Sequence, residues 1–502
     1  MDEYNRPKTG PAAPKTAPGV TPFWFAAVLV LSALCIFASV PRAGAQGNEQ
    51  ESKRYTSVIQ NIFDFIQKRY VEEVDPKILY EGAMNGMFTA LGDPYSAFLP
   101  ESEMTDLNDT TQGNFGGVGL YITKPVAARP DGKPPYVEVA APMEDTPGWR
   151  AGINPGDLIV AINDETTDVL SMDEVLKRLR GTPGVDVKLL IRRGEKLEFP
   201  VTLTRAIIEV PTVKHEMIGD IGYLKLLTFT PMSVDRTREA LEEFKGKNYS
   251  SFILDLRNNY GGLLNSAVGI CNLFLEDGVV VSTKSRIASE NAVFTAHRGA
   301  VVPQNIPMVV LINRGSASAS EIVAGALKDR GRAFLVGEKS YGKGSVQQVY
   351  PLEKAGFRIT TARYYTPSDV NIDKIGIPPD KEVLFPEFSN EEAEKLNTLI
   401  ADNRIPAFVE ANPGAAAEKI DAFARELNGT YGIDLSLLRR LIRNEQNRTA
   451  IAPVYDLEYD VQLQEAVNIL RVGNYGQLMQ ATKTLRELQN EALLEDDTAL
   501  AS

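Results

Sequence analysis

Apolar and polar positions divide the chain into stretches of different period. After a charge-free run from Phe23 to Val40 and a polar stretch (QGNEQESKR), Ile59, Ile62, Phe63, Ile66 and Tyr70 recur at one face of an α-helix. A second helix is predicted from Leu79 to Leu91, stopped by Gly92-Asp93-Pro94. Between about 113 and 205, short strands (YVEVA, DLIVAIN, DVKLLIRR, EFPVTLT) surround one predicted helix, Met172 to Leu179. From 206 to 386, apolar runs (FILDL, MVVLIN, AFLVG) alternate with helical segments (LLNSAVGICNLFL, SEIVAGALKD). Buried strands alternating with helices predict an α/β layered fold. Beyond 387 the pattern is helical, with Leu463, Ala466, Val467 and Leu470 on one face and Leu478, Ala481 and Leu485 on another. The expected regions are therefore 1–45, 46–112, 113–205, 206–386 and 387–502.

The N-terminus bears on compartment. Arg6, Lys8 and Lys15 precede the Phe23–Val40 run, and Ala43-Gly44-Ala45 follows it. A basic start, an apolar run and a small-residue site read as a secretory signal. The run is also nearly long enough to span a bilayer. Cleavage after Ala45 and retention as a membrane tether through residues 23–40 both remain open. Either way, the rest of the chain is expected to be exported, to the bacterial periplasm or cell envelope.

Composition narrows the chemistry. With 53 basic against 66 acidic residues, a net charge of −13 and no long basic run, the chain is a poor partner for nucleic acid. The histidines are only His215 and His297, so a zinc site or histidine triad could draw on no others, and neither stands in a motif. No metal or cofactor is expected. The cysteines, Cys35 and Cys271, exclude a disulfide framework.

Two glycine- or serine-rich segments carry candidate chemistry. In Gly117-Val118-Gly119-Leu120, glycines permit backbone N–H groups to converge on a carboxylate, although a plain β-turn would use the same residues. Further along stand Ala151-Gly152-Ile153-Asn154-Pro155-Gly156-Asp157-Leu158-Ile159 and then Ile162-Asn163. Together these resemble a PDZ domain spanning about 113–205, which implies capture of a peptide's C-terminal carboxylate by the 117–120 loop. The second segment is Ser316-Ala317-Ser318-Ala319-Ser320-Glu321, after the strand-like run Pro307 to Asn313. A serine at a strand-to-helix turn lies beside unpaired N–H groups able to hold an oxyanion. Ser318-x-x-Glu321 also matches a helix capping box, which needs no chemistry.

A nucleophilic serine needs a base. Lys343, in Gly342-Lys343-Gly344-Ser345-Val346-Gln347, is flanked by glycines that let the backbone fold close and bury it. Burial is required, because a lysine of ordinary pKa ~10.4 must lose its proton to act as a base. A phosphate-loop reading of Gly337 to Ser345 fails, since Gly344 stands where the metal-binding hydroxyl must follow the lysine.

These two segments resemble the carboxyl-terminal processing peptidase (tail-specific protease) family. Three further stretches carry the resemblance: Leu91-Gly92-Asp93-Pro94-Tyr95-Ser96, Asp255-Leu256-Arg257-Asn258-Asn259 before Gly261-Gly262, and Gly376-Ile377-Pro378-Pro379-Asp380. The resemblance covers about residues 55–386 and implies a crotonase-like α/β protease core with an inserted PDZ domain and helical flanks. It implies Ser318 as nucleophile, Lys343 as general base, Gln347 as the residue holding the lysine, and the N–H groups of Gly262 and Ala319 as oxyanion hole. It further implies protein substrates with free C-termini and a homo-oligomer. The chain departs from the family pattern at Tyr260 and at Asp369 of Thr366-Pro367-Ser368-Asp369. An inactive, protease-like PDZ scaffold would be expected to have lost Ser318, Lys343 or the glycines, and all are present. An acyl-CoA enzyme on the same core is disfavoured by the export signal.

Overall fold

The computed structural model describes residues 43–125, 134–194, 196–385, 389–447 and 453–500. The apolar run 23–40 lies outside them. No helix of the described residues is long and apolar enough to cross a membrane.

The chain divides into two compact units, residues 1–87 and 88–502. The first holds helix Ala43–Arg69 and most of helix Pro76–Thr89. The predicted apolar face of the long helix is there, but Ile59 and Ile62 are more than half exposed, together with Tyr55 and Phe65.

In the second unit, strands Asn114–Gly117 and Ala206–Glu209 pair antiparallel, so the chain enters and leaves the intervening segment side by side. Between them a five-strand path runs Leu120–Thr123, Val137–Pro142, Leu158–Ile162, Asp186–Arg193, Leu197–Thr204. Alternate residues Val187, Leu189 and Ile191 turn inward to meet Val175 and Leu179, the i, i+4 pair of helix Met172–Leu179. Ser171 and Glu174 close a capping box at that helix's start.

The larger sheet is ordered Val213–Ile218, Ile221–Leu226, Ser251–Asp255, Met308–Ile312, Phe334–Gly337, Lys381–Glu382, antiparallel at the first pair and parallel thereafter. Strands 251–255 and 308–312 are buried at every position, as their apolar runs Phe252–Leu254 and Met308–Ile312 predicted. Leu254 and Val310 face helices Ser233–Gly246, Leu264–Cys271 and Ala319–Asp329. Their neighbours Ile253 and Val309 face the other way, onto Leu463, Ala466 and Val467 of helix Val461–Arg471. That C-terminal face is therefore covered by the core sheet and is not open to a partner. Helices between Asn390 and Gln446 form a separate cluster around Phe423, Leu427 and Leu438. A second sheet joins Ala97–Leu99, Ser345–Leu352, Ala355–Tyr365, Val279–Ser285 and Ala292–Thr295.

Candidate active site

Strand Met308–Ile312 runs into the serine turn, and helix Ala319–Asp329 leaves it. Two of its three serines are spent on architecture. Ser316 Oγ donates to the Leu256 carbonyl at 2.9 Å, and Ser320 Oγ donates to the Asn259 carbonyl at 2.7 Å. These bonds stitch the turn to the loop 255–262 after the neighbouring strand. The Ser318 hydroxyl donates to no carbonyl among the described residues. Ser318 sits at φ 56°, ψ −113°, a conformation that costs a non-glycine residue of order 1–3 kcal/mol and persists only where its surroundings hold it.

Glycines bring the facing loop against it. A Cβ on Gly261 would lie 2.9 Å from Ser318 Cβ and 2.7 Å from the Ala317 carbonyl, and one on Gly262 would lie 2.2 Å from the Phe229 carbonyl. Gly262 is held by Phe229, whose carbonyl accepts from the Leu263 N–H at 2.9 Å. Among the described residues, neither the Gly262 nor the Ala319 N–H has an acceptor. Two unspent donors thus stand at the serine turn and the glycine loop facing it. Tyr260 turns its side chain to solvent.

Glu321 is the residue whose reach the sequence understated. It accepts from the Ser318 N–H at 2.9 Å, as the capping spacing predicts. It also accepts from the Ser340 hydroxyl (2.6 Å) and from the N–H groups of Gly342 (2.7 Å) and Lys343 (2.8 Å). One fully buried carboxylate therefore ties the serine turn to the lysine loop. Burial pushes its pKa up, and these donors offset only part of that.

Lys343 is half-buried, and its glycines act as expected. Gly342 has φ +89°, and a Cβ on Gly344 would lie 2.4 Å from the Asp373 nitrogen. Burial lowers the Lys343 pKa, helped by the Arg358 charge and opposed by Asp93 and Glu321. Its Nζ stands over the Tyr95 ring, 4.9 Å from the centroid. Burial pushes the Tyr95 hydroxyl up to about 12, with a hydrogen bond to Tyr341 adding to the shift. Burial would raise Asp93 as well, but donors from Ser96, Thr360 and the Tyr95 N–H outweigh it and hold the carboxyl below its ordinary range. No hydrogen bond joins Ser318 Oγ to Lys343 Nζ. The Gln347 amide donates to Ser345 Oγ (2.9 Å) and Thr360 Oγ1 (3.2 Å) instead of meeting the lysine. His215 pairs with Glu243 at 3.1 Å and His297 is exposed, both outside this cluster. Among the described residues no acidic, histidine and cysteine group could hold a metal.

Behind the 255–262 loop, buried Arg257 donates to Asp255 and reaches Asp460 through both terminal nitrogens, at 2.7 and 2.6 Å. Asp460 also caps helix Val461–Arg471 by accepting from the Leu463 N–H. Asp460→Ala leaves a buried guanidinium half-paired, which costs about 2–4 kcal/mol. The expected result is a lower unfolding temperature and reduced peptide cleavage together. Unchanged melting would mean that the loop does not depend on this brace.

In the 117–120 loop, Gly119 has φ +73°, and its Cβ would lie 2.2 Å from Thr146 Cβ. The Val118 and Gly119 carbonyls are taken by Gly148, Met143 and Thr146, while their N–H groups have no partner among the described residues. That is the polarity required to receive a carboxylate.

Three family models match the chain: peptidase family S41 over residues 220–383, a PDZ domain over 138–193, and an activating protease CtpB N-terminal domain over 35–103. The carboxy-terminal-processing protease of Bartonella bacilliformis is 37% identical over 364 residues, covering 71% of this chain and 81% of that protein. The carboxyl-terminal-processing protease of Synechocystis sp. is 34% identical over 391 residues, covering 74% and 89%. Among solved structures, the photosystem II D1 C-terminal processing protease aligns at 28% identity and TM-score 0.39, over 65% of this chain and 92% of that one.

Proposed function

The chain belongs to the carboxy-terminal-processing proteases of peptidase family S41, and from that premise we propose that it is an exported serine endoprotease cutting envelope proteins near their C-termini. The observation that carries the reading is the division of labour in the serine turn. Ser316 and Ser320 brace the loop, while Ser318 is strained, unbraced and flanked by two unspent N–H donors.

In this mechanism neutral Lys343 takes the proton from Ser318 Oγ as it attacks the scissile carbonyl. The Gly262 and Ala319 N–H groups receive the oxyanion. The lysinium then protonates the leaving amine, and water hydrolyses the acyl-enzyme with Lys343 again as base. For this the Lys343 Nζ, which stands over the Tyr95 ring, must come within hydrogen-bonding reach of Ser318 Oγ. Gln347 would hold the lysine once it has moved. Incubating the purified protein and its Ser318→Ala form with envelope extract, and comparing C-termini by mass spectrometry, tests the whole reading. Identical C-termini in the two samples would overturn it.

The PDZ domain would hold the substrate's tail in the 117–120 loop. Gly119→Val drives a side chain into Thr146 at a backbone angle that β-branched residues avoid. The preference for a free-acid over an amidated peptide should then fall from roughly tenfold or more towards none. Labelling of Ser318 by a covalent serine probe separates lost tail capture from a lost fold. Equal binding of acid and amide by the unaltered protein would remove the tail-capture model.

A homo-oligomer would assemble through the N-terminal helix. Ile59, Ile62, Phe65 and Tyr55 are exposed on one chain, a surface that a second copy would bury. Light scattering is expected to give a multiple of the monomer mass, reduced to a monomer by Ile59→Glu with Ile62→Glu. A monomer at micromolar concentration before substitution would refute this.

A further inference from the structure

Among the described residues, every guanidinium nitrogen of the three buried arginines has an acceptor, and a fourth, partly buried arginine breaks the pattern. Arg205 donates to the carbonyls of Arg178, Leu179, Val185 and Asp186. Arg332 donates to those of Phe274, Pro303 and Ile306, and Arg257 is held by Asp255 and Asp460. Arg358 differs. Its Nε is shielded from solvent without a hydrogen-bond partner, and among the described residues its guanidinium has no ion pair. Withdrawing an arginine nitrogen from water with no acceptor is unfavourable, so such a group needs an explanation.

Its place in the sheet supplies one. Arg358 lies opposite Ala97 on one neighbouring strand and Val349 on the other, and Thr360, two residues on, lies opposite Gln347. Side chains two apart share a face, so Arg358 stands with Thr360 and Gln347. Thr360 Oγ1 donates to Asp93, which also accepts from the N–H of Tyr95, the residue whose ring lies under Lys343 Nζ. The Arg358 charge is felt at Lys343 itself. The carboxylate on this face, Asp93, is already committed to Ser96, Thr360 and the Tyr95 N–H.

We propose that Arg358 is a specificity-determining residue of the substrate cleft, receiving a carboxylate of the bound peptide beside the general base. The inference rests on the protease reading above. Arginine's planar fork matches a carboxylate in two parallel bonds. A peptide carries that group either on an Asp or Glu side chain near the scissile bond or at its own C-terminus.

The test uses the full-length protein and a peptide panel in which one residue at a time on either side of the scissile bond is Glu or Gln. Each peptide is made with a free and an amidated C-terminus. The expected result is a preference for one carboxylate on the order of 10–100-fold in kcat/KM, residing in KM. An amidated Glu peptide preferred over its Gln twin identifies a side-chain source. A preference that follows only the free terminus, and survives Gly119→Val, identifies the terminal source. In Arg358→Gln the ratio should fall towards one, and in Arg358→Lys it should be partly kept. The ratio is the readout because removing Arg358 also alters Lys343 and changes all rates together. No preference at any position, or one that persists in Arg358→Gln, overturns the proposal. Dissociation constants of the same peptides on Ser318→Ala and on Ser318→Ala with Arg358→Gln test the carboxylate contact without turnover. If no peptide is cut yet the binding ratio depends on Arg358, the protease reading fails and the subsite stands.

Discussion

Ser318→Ala and Lys343→Ala will each lower peptide cleavage by on the order of 10³-fold or more, and the double variant will be no slower than the slower single one. A nucleophile and its base act on one proton, so removing either disables the same step. Each variant should fold, since the Ser318 hydroxyl does not brace the turn and the lysine loop is held through the Lys343 N–H, which any residue supplies. Lys343→Arg should be as slow as Lys343→Ala, because a guanidinium keeps its proton. The pH profile has a definite sign. Burial and the Arg358 charge lower the Lys343 pKa, and the base works only when neutral. Rate will therefore rise with pH, with its midpoint below lysine's ordinary 10.5. Additive losses in the double variant, or cleavage retained by Lys343→Arg, would exclude the dyad. His215→Ala and His297→Ala should stay active; a collapse in either would restore a histidine mechanism.

What the sequence could reveal tracks how local the physics is. The strands 251–255 and 308–312 were legible because a strand buried on both faces is apolar through its centre, as Phe252–Leu254 and Met308–Ile312 are. Helix Met172–Leu179 was legible because one amphipathic turn and one capping serine define it. The glycines around Lys343 and Ser318 announced close approach without naming the neighbour. Helix Val461–Arg471 showed an apolar face, but periodicity says only that a face is covered. That the core sheet covers it rests on contacts distant in sequence, Ile253 and Val309 on Leu463 and the Arg257–Asp460 pair 203 residues apart. Likewise, Gly92-Asp93-Pro94 was read as a helix stop, and Pro76–Thr89 does end there. The second task of Asp93, organising Ser96 and Thr360 around the lysine, arises only when the second sheet forms. Gln347 shows the same limit, since the resemblance implied that it holds Lys343 while the strand register gives its amide to Ser345 and Thr360.

Glu321→Gln is expected to slow cleavage on the order of 10²-fold while leaving peptide KM within a few-fold. The carboxylate offers two acceptor oxygens to four donors, with Ser340 and Gly342 on one and Ser318 and Lys343 on the other. An amide of the same shape has one oxygen and one NH₂. Whichever way it turns, the NH₂ faces at least one fixed backbone N–H (Gly342 on one side, Ser318 and Lys343 on the other), and each unsatisfied group costs about 1–3 kcal/mol. The relief available is for one loop to move. If the lysine loop withdraws, the base no longer reaches Ser318; if the serine turn relaxes, its strained φ is lost and the hydroxyl leaves the Gly262 and Ala319 donors. A misplacement of about 1 Å is enough for a loss of this size. Peptide binding along the PDZ loop should persist, so the fall should appear in kcat. Covalent probe labelling of Ser318 should slow in parallel, since it reads the same geometry. Were Glu321 only a helix cap, Gln would replace it as an acceptor for the Ser318 N–H and cost little beyond stability. Near-normal kcat with a reduced unfolding temperature would therefore assign it to the helix alone, and a selective loss of kcat would assign it to the alignment of Ser318 with Lys343.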